Sequence, residues 1–208
     1  MCPNMSKRCN QGERMKVNIL ITGVGGQGIL LASNVLGKAA IYSNYNVVGV
    51  ETHGMAQRGG SVVSHIRIGE VYSPLIPEGE ADFLLAFEPL EALRQINFLN
   101  EESTVILNSR PIYPPSLKGE IWKYPKIEKI TKALEFCNII SLDATDLAKK
   151  AGNIRTLNVV MLGVLSSCKN FPLPEESLKK AITETVPKKT IDINLKAFHL
   201  GKNHTYTL

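Results

Sequence analysis

The sequence predicts an α/β protein: a three-layer α/β/α domain on a mostly parallel, Rossmann-like sheet carrying an inserted β-hairpin. Three observations point there. Short apolar runs rich in β-branched residues recur along the chain, the mark of strands buried on both faces. Longer segments with helical periodicity separate them. The first run, Val17 to Thr22, also leads directly into Gly23-Val24-Gly25-Gly26-Gln27-Gly28 and then a helix-like run, Ile29 to Ala40. Strand, glycine turn and helix in that order are the context in which G-x-G-x-x-G holds a phosphate.

Residues 1–14 form a polar N-terminal extension expected to be disordered, and the domain is expected to occupy 15–208, with Met15 able to serve as a start. Lys16 to Thr22 is the first strand. A helix over Gly28 to Ser43 follows, with Ile29, Leu30, Leu31, Val35, Leu36 and Ala39 on its inner face. Asn44 to Asn46 turn the chain into a second strand, Val47 to Glu51, which right-handed crossover sterics make parallel to the first. A second crossover helix is then missing. Thr52 to Gly60 is instead a polar, glycine-ended loop leading into Ser61 to Ile68, whose later part alternates with period two. Gly69-Glu70 turns this strand, and Val71 to Ile76 reads as its hairpin partner.

Ala81 to Phe87 is a continuous apolar run and a buried strand. Glu88-Pro89 opens a helix to about Asn97, with proline where its missing N–H costs nothing. Thr104 to Asn108 is a strand, Arg110 to Ser116 a proline-rich loop, Glu120 to Tyr124 a short strand, Lys126 to Phe136 a helix and Asn138 to Asp143 a strand. The remainder is helical: Ala144 to Ala151, Asn153 to Cys168, Pro174 to Thr185 and Thr190 to Leu200.

The 208 residues suit one generous domain with a real core. With 44% hydrophobic and 21% charged residues, the composition is that of a globular protein. No apolar run is long enough to span a membrane, and the N-terminus lacks the apolar core of a secretory signal, so the cytoplasm is the expected location. The net charge of +5 comes without a basic stripe interleaved with aromatics, which argues against nucleic acid. Four cysteines stand at 2, 9, 137 and 168 with no C-x-x-C pair, so the chain offers no ligand set for an iron–sulfur cluster. Cys137 and Cys168 sit in apolar surroundings and read as small buried hydrophobes. The histidines show no metal-ligand spacing.

Candidate chemistry gathers at the two glycine-rich loops. In the first, Gly23, Gly25, Gly26 and Gly28 allow a sharp turn and a close approach of main-chain N–H groups to an anion at a helix start. The same turn also serves a plain strand-to-helix connection. In the second, Arg58 lies between Gln57 and Gly59-Gly60; its guanidinium suits a phosphate or carboxylate, or else it is a surface arginine ahead of a strand. Asn108 ends a strand near the same edge, where it either reaches a ligand or caps a turn. Glu51 follows Gly28 by roughly twenty residues, the place of the ribose-holding acid in a dinucleotide fold. That leaves a free-standing NAD- or FAD-binding oxidoreductase as one reading. No complete acid–base or nucleophile set accompanies the loops.

The two glycine motifs occur in order with the Ala81-Asp82 to Glu88-Pro89 stretch and with Asn158-Val159-Val160-Met161-Leu162-Gly163. In this combination the chain, from about Met15 onward, resembles the gamma-type subunits of the 2-oxoacid:ferredoxin oxidoreductases, in particular those of the indolepyruvate type. The resemblance implies an assembled enzyme that oxidatively decarboxylates an aryl pyruvate to an aryl-acetyl-CoA and reduces ferredoxin. It implies that thiamine diphosphate and 4Fe-4S clusters lie on a larger alpha subunit, and that this chain is inactive alone. Pyruvate, 2-oxoglutarate and 2-oxoisovalerate remain open as substrates. Matched to the family's loops, Gly23, Gly25, Gly26, Gln27 and Gly28, then Gln57, Arg58, Gly59 and Gly60, are expected to face coenzyme A or the partner's active site, with Arg58 pairing an anionic group.

Overall fold

A computed structural model describes residues 16–53, 59–113 and 124–204. Its strands are β1 (Lys16–Val24), β2 (Val47–His53), β3 (Ser61–Gly69), β4 (Phe83–Ala86), β5 (Thr104–Asn108) and β6 (Asn138–Leu142). Its α-helices are α1 (Ile29–Tyr42), α2 (Pro89–Arg94), α3 (Ile127–Ala133), α4 (Ala144–Ala151), α5 (Leu157–Ser166), α6 (Glu175–Thr185) and α7 (Ile191–Lys202). The six strands form one sheet in the order β2-β3-β1-β4-β5-β6. β1, β4, β5 and β6 run parallel; β3 is antiparallel to both β1 and β2.

Period-two alternation divides the sheet's side chains between two cores. Ile19, Ile21, Phe83, Leu85 and Ile106 point into one, with α1, α4, α5, α6 and α7 over it. Leu20, Leu84, Ala86, Val105 and Leu107 point into the other, under Ala92 of α2 and Ile130 of α3. Three layers result. Among the described residues no helix is long and apolar enough to cross a membrane.

The pairing differs from the sequence expectation in one important way. β2 runs parallel to β1, but β3 lies between them, so they are not neighbours. The hairpin is therefore β2–β3, not β3 with Val71–Ile76. The latter segment is not a strand, because side chains of β3 take its backbone groups. The Arg67 guanidinium donates to the carbonyls of Ser73 and Leu75, each at 3.0 Å, and His65 Nδ1 accepts the Ile76 N–H at 3.3 Å.

Smaller corrections follow the same logic. Leu30 is 44% exposed, and Ala32 and Ala40 take inner positions of α1 beside Ile29, Val35, Leu36 and Ala39. The expected helix from Glu88 ends at Arg94 and passes into a 3₁₀ turn at Ile96–Phe98. The expected helix from Asn153 opens with a 3₁₀ turn, where Asn153 Oδ1 accepts the Arg155 N–H at 3.0 Å, before α5 begins. The expected strand at 120–124 falls outside the described residues except for Tyr124, which is not in a strand. The extension 1–14 also lies outside them.

Candidate functional site

Antiparallel pairing of β1 with β3 sets Val24 opposite Ser61, so the end of one strand meets the start of the other. This register brings together two glycine motifs more than thirty residues apart. The Gly25 N–H donates to the Gly60 carbonyl at 2.9 Å, and the Gly59 N–H to the Gly25 carbonyl at 3.5 Å. Both loops lie at the carboxyl end of the parallel strands, where open α/β sheets bind ligands. Gln57 and Arg58 lie outside the described residues.

Each residue of the first loop has a local reason. Gly28 sits at the N-cap of α1 with φ +82°, and no side chain caps the helix. No acid occupies the first turn either. The opening N–H groups of α1 thus have no competing carboxylate beside them, which favours an anion. Gln27 is drawn inward: its Oε1 accepts the Val24 N–H at 2.7 Å and its Nε2 donates to the Phe87 carbonyl at 2.8 Å. This amide ties the loop to the end of β4. It also accounts for Gly23, where a Cβ would stand 2.6 Å from Gln27 Oε1. Gly26 is open to solvent, with φ +107°.

Asn108 is 1% exposed. Its Nδ2 donates to the Phe87 carbonyl at 3.0 Å, and its Oδ1 accepts the Ala144 N–H at 3.1 Å. It joins β4, β5 and α4 beneath the loops, the capping alternative of its two readings. Glu51 pairs across the sheet with Ser64, which in turn pairs with Ile21 of β1. Two strand spacings, about 10 Å, separate it from the strand that carries the first loop. A ribose-holding acid needs the adjacent strand, so the dinucleotide reading loses its second support.

Residues not expected to belong to the site complete its surroundings. Asn158 of α5, 3% exposed, donates from Nδ2 to the Gly28 carbonyl at 3.2 Å. Glu91 of α2 accepts the Ser61 hydroxyl at 2.5 Å and lies 3.5 Å from Arg94 Nε, bracing the second loop. Glu88, 2% exposed, caps α2 through the Glu91 N–H at 3.0 Å and accepts the Tyr124 hydroxyl. The Glu-Pro helix start signalled that cap; nothing local in the sequence signalled Tyr124, because its partner lies 36 residues away. Burial, reinforced by the Glu88 carboxylate, raises the Tyr124 phenol well above its ordinary value. Burial also pushes the Cys168 thiol up to about 11 and raises that of Cys137, which keeps both protonated at neutral pH.

Among the described residues no group of three or more His, Cys, Asp or Glu is placed to hold a metal. The uncapped, acid-free start of α1 favours an anion, and among the described residues of the two loops none is a nucleophile with an adjacent base.

Known proteins agree with this architecture. The model of the family described as pyruvate ferredoxin/flavodoxin oxidoreductase matches residues 18–204. Indolepyruvate oxidoreductase subunit IorB of Thermococcus kodakarensis is 50% identical over 188 residues, covering 88% of this chain and 93% of that protein. Its counterpart in Archaeoglobus fulgidus is 47% identical over 191 residues, covering 91% and 95%. In structure, pyruvate oxidoreductase subunit PORC of Thermotoga maritima superposes with a TM-score of 0.67 at 25% identity, over 90% of this chain and 95% of that one. By name, these relatives are subunits of indolepyruvate and pyruvate oxidoreductases. With its two glycine loops joined at the carboxyl end of a mixed six-stranded sheet, the chain belongs to the pyruvate ferredoxin/flavodoxin oxidoreductase family.

Proposed function

We propose that this chain is the smaller subunit of an indolepyruvate:ferredoxin oxidoreductase. The assembled enzyme converts an aryl pyruvate and coenzyme A to an aryl-acetyl-CoA and carbon dioxide, with two electrons passing to ferredoxin. The observation that carries this reading is identity of about one half to indolepyruvate oxidoreductase subunits over nearly the whole of both chains. Thiamine diphosphate and iron–sulfur clusters belong to the larger partner, where they supply the carbanion and electron-carrying chemistry.

This chain's own share is binding and orientation. The coupled glycine loops face coenzyme A or the partner's reaction site, and the uncapped start of α1 favours a pyrophosphate. Arg58, three residues before Ser61, pairs an anionic group of the cosubstrate. Gln27, Asn108, Asn158 and Glu91 hold the loops in place through the bonds described above.

The test is capture of this chain with its bound partners from its native cell extract, followed by indolepyruvate- and coenzyme A-dependent dye reduction. Recovery of a larger thiamine- and cluster-containing chain, active with indolepyruvate, supports the reading. Recovery of the chain alone with bound NAD or FAD rejects it. In the assembled enzyme, Arg58→Ala is expected to raise KM for coenzyme A by about tenfold or more, the scale of a lost charge-assisted hydrogen bond. Unchanged KM and kcat would remove Arg58 from the site.

A further inference from the structure

The segment Val71 to Ile76, which follows β3, is fixed by buried side chains yet holds two large apolar side chains in water. Tyr72 is 90% exposed and Leu75 54%. Their backbone is held from beneath. The Arg67 guanidinium, 7% exposed, donates through Nε to Asn18 Oδ1 at 2.9 Å and through one terminal nitrogen to the carbonyls of Ser73 and Leu75, on either side of Pro74. The His65 ring accepts the Ile76 N–H and meets Phe98 edge to face, with centroids 5.4 Å apart. Ile76, 2% exposed, anchors the far end in the core under α2 and α3. Burying a guanidinium costs free energy that neutral acceptors offset only in part. The fold thus commits a buried cation to the shape of a loop whose most apolar side chains face solvent.

A tyrosine and a leucine in that setting have the properties of an interface anchor. Tyrosine is enriched among the few residues that dominate protein–protein binding. A loop already set in its docked shape loses little further freedom on association. The surrounding charge defines the complementary surface. From Glu70 to Asp82 the chain carries Glu70, Glu78, Glu80 and Asp82 and no lysine or arginine, although its net charge is +5. Lys16 pairs with Glu80 at 2.7 Å, and Asp82 accepts the Asn18 N–H at 2.7 Å. Glu78 is exposed. The turn bearing exposed Glu101 and Glu102 is tied beside it by Asn100, whose Nδ2 donates to the Gly79 carbonyl at 2.6 Å. An acidic rim therefore borders the two apolar side chains.

We propose that Tyr72 and Leu75 insert into an apolar groove on the larger subunit, rimmed by lysine or arginine that meets Glu78, Glu101 and Glu102. The proposal rests on the functional reading above, which supplies that subunit, and adds where the two chains hold each other. Lys16 pairs with Gly69, so this surface lies at the start of β1, whereas the first glycine loop leaves from its end. Nine residues of strand put about 25 Å between them. The surface holds the partner without touching the glycine loops.

The experiment uses the complex co-produced with the larger subunit, as wild type, Tyr72→Ala, Leu75→Ala and the double variant Glu78→Lys, Glu101→Lys. Kd is read from dissociation on dilution, kcat with indolepyruvate at saturating subunit concentration, and the melting temperature from the full chain alone. Each alanine variant is expected to raise Kd about tenfold or more, and the double variant to raise it most at low salt. The kcat and the melting temperature are expected to stay at their wild-type values. Unchanged Kd in all three variants overturns the proposal. Self-association of the wild-type chain that Tyr72→Ala abolishes also overturns it, giving the surface to a second copy. A melting temperature lowered equally by Tyr72→Ala and by deletion of residues 1–14 overturns it in favour of the chain's own extension. A complex that weakens as expected but does not turn over indolepyruvate defeats the functional reading and leaves the docking surface standing. Wild-type chains that do not associate overturn both.

Discussion

Gly28 meets two demands at once, and neither is visible from its neighbours alone. Its φ of +82° is left-handed, and a Cβ there would lie 2.3 Å from Nδ2 of the buried Asn158. Gly28→Ala is expected to destabilise the fold by about 1–3 kcal/mol, from backbone strain and loss of the Asn158 bond. Gly26→Ala meets nothing within 4 Å, so only its φ of +107° is strained and about 1 kcal/mol is expected. Thermal melts of both variants test the ranking; equal losses would deny Asn158 its part. His65 offers a pH test. Burial lowers its pKa from 6.5, so the folded state disfavours the proton that the unfolded chain accepts. Stability from this group is fully present above pH 6.5 and is lost as pH falls through the folded-state value. Denaturant titrations from pH 7.5 to pH 5 are expected to show this decline, and His65→Gln to flatten it. A wild-type curve flat over that range would reject the assignment.

At the scale of elements, α5 reaches the first glycine loop through Asn158 and packs against α7. They touch backbone to backbone: a Cβ on Gly163 would stand 2.1 Å from the Phe198 carbonyl, and one on Gly201 2.0 Å from that of Val160. No rotamer relieves either contact, because the obstacle is main chain. Gly163→Ala is expected to force the helices apart and cost about 2–4 kcal/mol, toward the upper end of overpacking penalties. Since α5 also carries Asn158, the first glycine loop should loosen with it. The measurement is the denaturation midpoint together with recovery of the complex, and a near-wild-type midpoint would show that the helices can part at little cost. Much of this level was legible beforehand. β5 and α4 fall on their expected residues, because an apolar run between turn signals and an Asp-capped amphipathic stretch are local patterns. The Val71–Ile76 segment was not legible, because its backbone partners are side chains of β3 rather than a neighbouring strand.

Over the whole molecule, the family match begins at residue 18 and β1 at Lys16, so we infer a single domain starting near Met15. Deletion of residues 1–14 is expected to leave the melting temperature and the activity of the assembled enzyme unchanged. A drop in either would extend the domain to the N-terminus. Within the domain, the edge that carries both glycine loops is a product of topology. β3 enters the sheet between β1 and β2 with reversed direction, and only that arrangement places Gly60 against Gly25.

The sequence by itself determined the α/β class, the strand–glycine turn–helix opening and the identity of both loops, since these rest on periodicity and short-range turn chemistry. It also carried the family resemblance. The tertiary structure alone decided that the two loops meet at one edge of the sheet, that Gln27 and Asn108 bond inward, and that Glu51 stands two strands away from β1. Each of these depends on strand order and on contacts between residues distant along the chain, and local patterns carry no record of either.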